Sequence, residues 1–368
     1  MSHNGNLTNA GQLREKLAKE GAIFNTTVDT EVVLTLIARS KCKTIEERVA
    51  EAVRQIRGAY AILLMTDNKI IAVRDPYGFR PLVLGKMENG WCVASESCAF
   101  DLVGAELVRD VKPGEMVILD SDNSEPRSMM WVEEVPERTA HCIFEYVYFA
   151  RNDSVIDGQP VYESRIQMGR ELAKEIQDIH PDIVISAPDS GTPAAIGYSL
   201  EAGIPFMEGL TKNRYVGRTF IQPTQKQRAN AVRLKLNPVR SVVEGKSVVL
   251  VDDSIVRGTT SGKVVKLLKE AGAREVHVAI SSPPVVDSCY YGIDTSERKQ
   301  LIASRCSQEE ICRFIGADSL HYISMEGMKR AISKINPDGL CCACFNSDYP
   351  DNADVVISKE PSKNDKDK

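Results

Sequence analysis

The chain has 368 residues, of which 43% are hydrophobic and 26% charged; that length suits two domains and that balance suits a soluble globular protein. No stretch approaches the roughly 20 apolar residues of a membrane helix, and the opening MSHNGNLTNAGQLREK lacks the apolar core of a secretory signal. A net charge of -5 gives no general attraction to nucleic acid, so a cytoplasmic enzyme or binding protein is expected.

From Asp29 to Arg39, Val32, Val33, Leu36 and Ile37 recur on one side, which predicts a helix. Ala59–Met65 and Ile70–Val73 read as strands around the turn Asp67-Asn68-Lys69, and Trp91–Ala94 and Glu115–Leu119 repeat that pattern. The first part, to about Pro136, is therefore predicted to be a hairpin-rich sheet with flanking helices. From about Ala140 the pattern becomes strand, loop, helix. Asp182–Ser186 and Ser247–Val251 are apolar strands, each followed by a loop and a helix (Pro193–Leu200 and Gly262–Ala271), and Val276–Ile280 is the next strand. Such alternation predicts a parallel sheet covered on both faces. The tail from about Asp351, which ends in SKEPSKNDKDK, is charged, lacks aromatic residues and is expected to be disordered.

There are ten cysteines. Without an export signal they are not expected to form a disulfide framework. Cys341-Cys342-Ala343-Cys344 places three thiols in four residues. Spacing alone leaves open whether these bind a soft metal or are plain buried thiols.

The segment VVLVDDSIVRGTT, Val248–Thr260, carries the strongest chemical signal. Apolar residues end in the adjacent carboxylates Asp252 and Asp253, and a small-residue loop then leads into a helix. Ligands of open parallel sheets bind beyond the carboxyl ends of the strands, and a helix N-terminus favours an anion. Gly258 permits close approach of a phosphate to the backbone, and Ser254, Thr259 and Thr260 offer hydroxyls. The two acids suit ribose hydroxyls or Mg2+. The loop thus reads as a site for a sugar phosphate with a metal nearby, and no GxxxxGK[ST] phosphate loop is present. A second crevice, Pro188–Thr192, follows a neighbouring strand. KNRYVGRTFIQP, with Lys212, Arg214, Arg218, Tyr215 and Phe220, reads as a basic, aromatic loop that could cover an anionic substrate.

Val248–Thr260 closely resembles the signature for 5-phosphoribosyl-1-pyrophosphate (PRPP) in type I phosphoribosyltransferases. Together with HCIFEYVYFARNDS (141–154), KNRYVGRTFIQP and RDPYGFRPL (74–82), it resembles the glutamine PRPP amidotransferases of purine synthesis from His3 to about Pro350. The resemblance implies an α/β protein with a partial N-terminal-nucleophile glutaminase domain (αββα, 1–136), a type I phosphoribosyltransferase domain with a parallel sheet (137–345) and a tail (346–368). The implied activity is that of a pentosyltransferase that forms 5-phosphoribosylamine from PRPP and glutamine-derived ammonia.

By resemblance, Asn4 and Gly5 of HNGN would form the glutaminase oxyanion hole. Asp29 would bind the glutamine amino group, although Val28 stands where the family usually has Ser or Thr. Read alone, HNGN would be a turn and Asp29 a helix cap. Ser190, Asp252 and Asp253 would ligate Mg2+. Asp253 through Thr260, with Arg257 and Gly258, would hold the ribose and 5-phosphate. Lys212 and Arg218 would belong to a flexible loop over PRPP that runs to Arg228. Some members carry a 4Fe–4S cluster, and the matching positions are Cys142, Cys289, Cys341 and Cys344. The family's glutaminase nucleophile is an N-terminal cysteine well upstream of HNGN. Here HNGN starts at His3, so the resemblance implies a chain begun at an internal Met that uses ammonia only or is inactive. A homotetramer inhibited by purine nucleotides is also implied. Other readings of the sugar-phosphate site are a base-salvage phosphoribosyltransferase and a non-catalytic PRPP-binding regulator. A cluster-bearing electron carrier has no redox-partner motif to support it.

Overall fold

The computed structural model describes residues 1–134, 136–213, 236–293, 295 and 297–351. In the N-terminal half, five antiparallel strands run in the order Ser2–Leu7, Gly58–Met65, Lys69–Arg74, Glu115–Asp120 and Arg127–Met130. Side chains alternate between the faces of a strand, so this sheet buries two different sets. Tyr60, Ile62, Ile71, Val73, Met116 and Ile118 face the helices Ala10–Lys19, Thr30–Arg39 and Ile45–Val53. Ala61, Ala72 and Val117 face a second sheet of Gly90–Ala94, Val83–Met87 and Glu106–Asp110. The short helix Cys98–Val103 covers the outer side of that sheet through Phe100. The layers are therefore helix, sheet, sheet, helix. The predicted helix begins at Thr30, with Val32, Val33, Leu36 and Ile37 all buried.

The C-terminal half is built on a parallel sheet in the order Ile183–Ser186, Ser247–Asp252, Glu275–Ile280 and Ser319–Tyr322. Val248 and Leu250 pack on one face with Val264, Val265 and Leu268 of the helix Thr259–Glu270. Val249 and Val251 pack on the other with Met168 and Leu172 of Val161–Glu175 and Tyr198 of Thr192–Ala202. This doubly covered sheet explains why its strands are continuously apolar. Among the described residues no helix is long and apolar enough to cross a membrane.

A buried ionic cluster joins the halves. Arg74, at the end of Lys69–Arg74, is 1% exposed. It donates to the carbonyls of Val111 (2.7 Å), Arg80 (2.9 Å) and Gly78 (3.0 Å), and to both oxygens of Asp157 at 2.7 and 2.9 Å. His141 Nδ1 lies 2.9 Å from the same carboxylate. Phe79 stacks on Tyr291 with centroids 4.0 Å apart. Residues 346–351 begin the stretch assigned to a tail, yet Tyr349 is buried and its hydroxyl donates to the Ser288 carbonyl at 2.6 Å. The rest of that stretch, 352–368, lies outside the described residues.

Candidate active site

The strand Ser247–Asp252 ends in the crevice predicted for the sugar phosphate. Asp252 is partly buried and Asp253 almost fully so. The Asp253 N–H donates to Asp252 Oδ1 at 2.9 Å. The Ser254 hydroxyl donates to Asp253 Oδ1 at 2.5 Å, and the Ser190 hydroxyl donates to Oδ2 of the same group. The two crevices read from sequence are therefore one site, because parallel pairing of Ile183–Ser186 with Val248–Val251 sets their loops side by side. Lys212 bonds to Asp189, which brings the described end of the basic segment to the same place. Arg218 and the remainder of that segment from 214 to 235 lie outside the described residues.

Burial, together with the charge of Asp253, pushes the Asp252 carboxyl well above the ordinary range. Burial also raises Asp253, although the Ser190 and Ser254 hydroxyls oppose the rise. A divalent cation or ribose hydroxyls bound there would favour the charged forms. Past the pair, buried Ile255 anchors the loop in the core, and the Val256 carbonyl accepts from the Ile302 N–H at 2.9 Å. Gly258 has φ 73°, and a Cβ there would stand 3.1 Å from both Ile302 and Phe314. Arg257, Thr259 and Thr260 are exposed around a helix N-terminus that no side chain caps. The loop thus presents free N–H groups and hydroxyls outward, as phosphate recognition requires.

HNGN is not a turn. It lies in the strand Ser2–Leu7, paired antiparallel with Gly58–Leu63. Gly5 has φ 143°, and a Cβ there would meet the Ala59 carbonyl oxygen at 2.1 Å. Asp29 makes no side-chain cap on the helix that follows it. Its Oδ2 instead accepts from the Leu7 N–H at 3.1 Å, and His3 Nδ1 lies 3.5 Å from Oδ1. Burial raises the Asp29 carboxyl, but the hydrogen bond and charge of His3 and the Leu7 N–H outweigh it, so the net shift is downward. Asn4 Nδ2 donates to Ser95 Oγ at 3.3 Å, and its Oδ1 accepts from Arg80 Nε at 3.2 Å. His3 and Arg80 were missed in the sequence reading. Both stand inside motifs that drew attention, and a strongly polar residue beside Phe79 and Leu82 was the available signal for Arg80.

All ten cysteines are free thiols. Cys142, Cys289, Cys341 and Cys344 converge at the junction of the two halves. Cys142 and Cys341 are paired neighbours in a short parallel ladder, and Cys344 lies beside Cys142, Cys289 and Cys341. Burial pushes the Cys142 thiol up to about 12, and it raises the other three as well. Among the described residues no three His, Cys, Asp or Glu side chains could hold a single metal ion. The thiolates of an iron–sulfur cluster bind separate irons and stand farther apart. Nη1 of buried Arg80 has no hydrogen-bond partner, and its guanidinium lies against Cys142 and Cys289. Four clustered thiols, Cys142 and Cys341 buried and Cys289 and Cys344 partly so, with a cationic group beside two of them, fit an anionic cluster. Cys342 is buried in the same core, and its own charged neighbours are Lys329, Arg138 and Asp348.

A groove of about 700 Å3 lies elsewhere, at the hairpin ends of the N-terminal half, lined in part by Met65, Lys69, Lys86, Trp91 and Asp120. None of the predicted site residues borders it.

Fold and site together define a two-part protein, an amidotransferase unit joined to a phosphoribosyltransferase unit. Residues 1–101 match the glutamine amidotransferase domain family and residues 162–309 the phosphoribosyl transferase domain family. The chain is 51% identical over 351 residues to amidophosphoribosyltransferase 1, chloroplastic, of Arabidopsis thaliana, covering 95% of this chain and 61% of that one. It is 50% identical over 355 residues to amidophosphoribosyltransferase of Bacillus subtilis, covering 95% and 73%. A solved structure of glutamine PRPP amidotransferase from B. subtilis complexed with ADP and GMP superposes with a TM-score of 0.88 at 49% identity, over 95% of this chain and 76% of that one. The chain belongs to the amidophosphoribosyltransferase family. It spans less than two thirds of the plant relative's length.

Proposed function

We propose that this chain forms 5-phosphoribosylamine from PRPP and ammonia, with release of pyrophosphate, in purine synthesis. The observation that carries the reading is the Asp252–Asp253 pair at a strand end, bonded to Ser190 of the neighbouring loop and followed by an uncapped helix N-terminus. The Asp253 carboxylate and the Ser254–Thr260 loop bind the ribose and 5-phosphate. Ser190 and Lys212 lie on the pyrophosphate side. Ammonia forms the new C–N bond at the anomeric carbon as the bond to pyrophosphate breaks, and the ammonium product loses a proton to water. The protein's own part is positioning, fixed hydrogen-bond donors and exclusion of water. Mg2+, when bound by Asp252, Asp253 and the substrate, would offset the charge of the departing pyrophosphate. Asn4, Gly5 and Asp29 make up the glutamine side of the enzyme. Control by purine nucleotides is proposed by likeness to the B. subtilis structure complexed with ADP and GMP; homo-oligomerisation and a cytoplasmic location are proposed from the sequence reading alone.

The discriminating assay supplies PRPP and Mg2+ with either ammonia or free purine and pyrimidine bases. Pyrophosphate release with ammonia alone supports the proposal. Release only with a base makes the chain a salvage enzyme, and PRPP binding without release makes it a regulator. Gly258→Ala is expected to cost about 1–2 kcal/mol, because its left-handed conformation disfavours a Cβ, and to raise the KM for PRPP. Titration of PRPP against both proteins measures this.

We also assign the cysteine quartet to a 4Fe–4S cluster. Anaerobic reconstitution with iron and sulfide is expected to give visible absorbance and about four irons per chain. Cys142→Ser is expected to abolish both signals, and Cys342→Ser to leave them in place. Equal iron contents in the two variants would contradict the assignment.

A further inference from the structure

Arg80 lies between Asn4 and the cysteine quartet. It is 6% exposed. A guanidinium can only donate hydrogen bonds, so the Asn4 oxygen must face Arg80 Nε, 3.2 Å away. The Asn4 NH2 is thereby set on the opposite side as the donor end of the amide, where it donates to Ser95 Oγ at 3.3 Å and keeps a second N–H. Nη2 of the same guanidinium lies 3.0 Å from Glu145 Oε1. Nη1 is buried and unpaired, on a guanidinium that lies against Cys289 and is hydrogen-bonded to Cys142. A buried N–H without an acceptor is unfavourable. Thiolates or sulfides at the quartet would supply the acceptor.

A second, independent contact follows the same route. The loop that carries Cys289 is laid on the strand that carries Asn4. A Cβ at Gly292 would stand 2.9 Å from the Gly5 backbone. Asn6 Nδ2 donates to the Tyr290 carbonyl at 2.9 Å. The Cys142 N–H donates to the carbonyl of Phe79, next to Arg80, at 3.1 Å.

We propose that Arg80 is a positioning residue that ties the Asn4 amide to the cysteine quartet, so that the state of the quartet sets how firmly the glutaminase oxyanion donor is held. This inference rests on the cluster reading above. Because coupling between two sites is reciprocal, a change at Asn4 must also be felt at the cluster. That makes the idea testable without an activity assay.

The reconstituted chain is exposed to air and the loss of visible absorbance is timed, for wild type, Asn4→Ala, Arg80→Met and the double variant. Circular dichroism checks that each is folded. Arg80→Met is expected to bleach at least about twofold faster, as is Asn4→Ala, which replaces no cysteine. The double variant is expected to match Arg80→Met, because the tether is already gone. Arg80→Lys keeps the charge but not the fork; it should bleach at an intermediate rate, and it serves if Arg80→Met does not fold. A wild-type rate for Asn4→Ala, or independent effects that multiply in the double variant, would overturn the inference while leaving the cluster in place. Failure of the wild type to take up iron and sulfide would overturn the cluster reading and this inference together.

Discussion

Replacing both strand-end carboxylates, Asp252→Asn with Asp253→Asn, is expected to lower turnover of PRPP with ammonia by at least about 10^2- to 10^3-fold without lowering the melting temperature. The loss of turnover follows from removing the groups placed to meet the ribose and Mg2+. The retained stability follows from their ionisation. An Asp in the unfolded chain ionises near 3.8. In the folded chain both groups ionise above that value, because burial opposes charge at each and the charge of Asp253 adds to this at Asp252. Between those values the folded state holds more protons than the unfolded state, so stability falls as pH rises through that window. At neutral pH, uncharged Asn relieves this cost. Mg2+ and PRPP at a hundredfold excess over Kd should stabilise the wild type by about 2.7 kcal/mol and the variant by almost nothing. Thermal melts with and without ligand, alongside pyrophosphate release, check both halves. Wild-type turnover by the double variant would remove the active-site assignment.

Arg74→Met is expected to destabilise the fold by about 3–5 kcal/mol, because it leaves the buried Asp157 carboxylate without its main partner. Three backbone carbonyls lose their donor as well. The melting temperature should fall by on the order of 10 °C. Burial alone would raise the Asp157 carboxyl, but the charge and hydrogen bonds of Arg74, with a smaller part from His141, hold it well below the usual carboxylate range. Its contribution is therefore fully present above the ordinary Asp pKa and is lost as pH falls below it. In Arg74→Met this acid-side dependence should flatten. Adding Asp157→Asn should recover part of the loss, since no orphaned charge remains. Asn also tolerates the positive φ of 48° found at that position. Melting curves of the three proteins from mildly acidic to neutral pH decide the matter. A single variant as stable as wild type would show that the cluster does not hold the halves together.

The candidate phosphoribosyl site was legible because its chemistry is local. Strand, paired acids, small-residue loop and helix start follow one another within Val248–Thr260, and each step has a residue-level reason. The parallel sheet covered on both faces was legible for the same cause, since hydrophobic periodicity reports which face of each element is buried; the two stacked sheets of the N-terminal half came only through the resemblance, because periodicity there gave a single sheet. HNGN was less so. Nothing within those four residues tells a turn from a strand, and the answer came from pairing with Gly58–Leu63, more than fifty residues away. The cysteine quartet could be named only through resemblance, because its members are spread from Cys142 to Cys344.

Composition and local pattern were enough to predict two units, a parallel sheet and a loop with paired acids at the carboxyl end of one of its inner strands. Long-range packing settled the rest. Arg74 meets Asp157 across 83 positions of sequence, and Arg80 meets Asn4 across 76. In a chain with 46 Lys and Arg, nothing local marks these two as buried, because an arginine enters a core only when distant partners arrive to satisfy its whole donor fork.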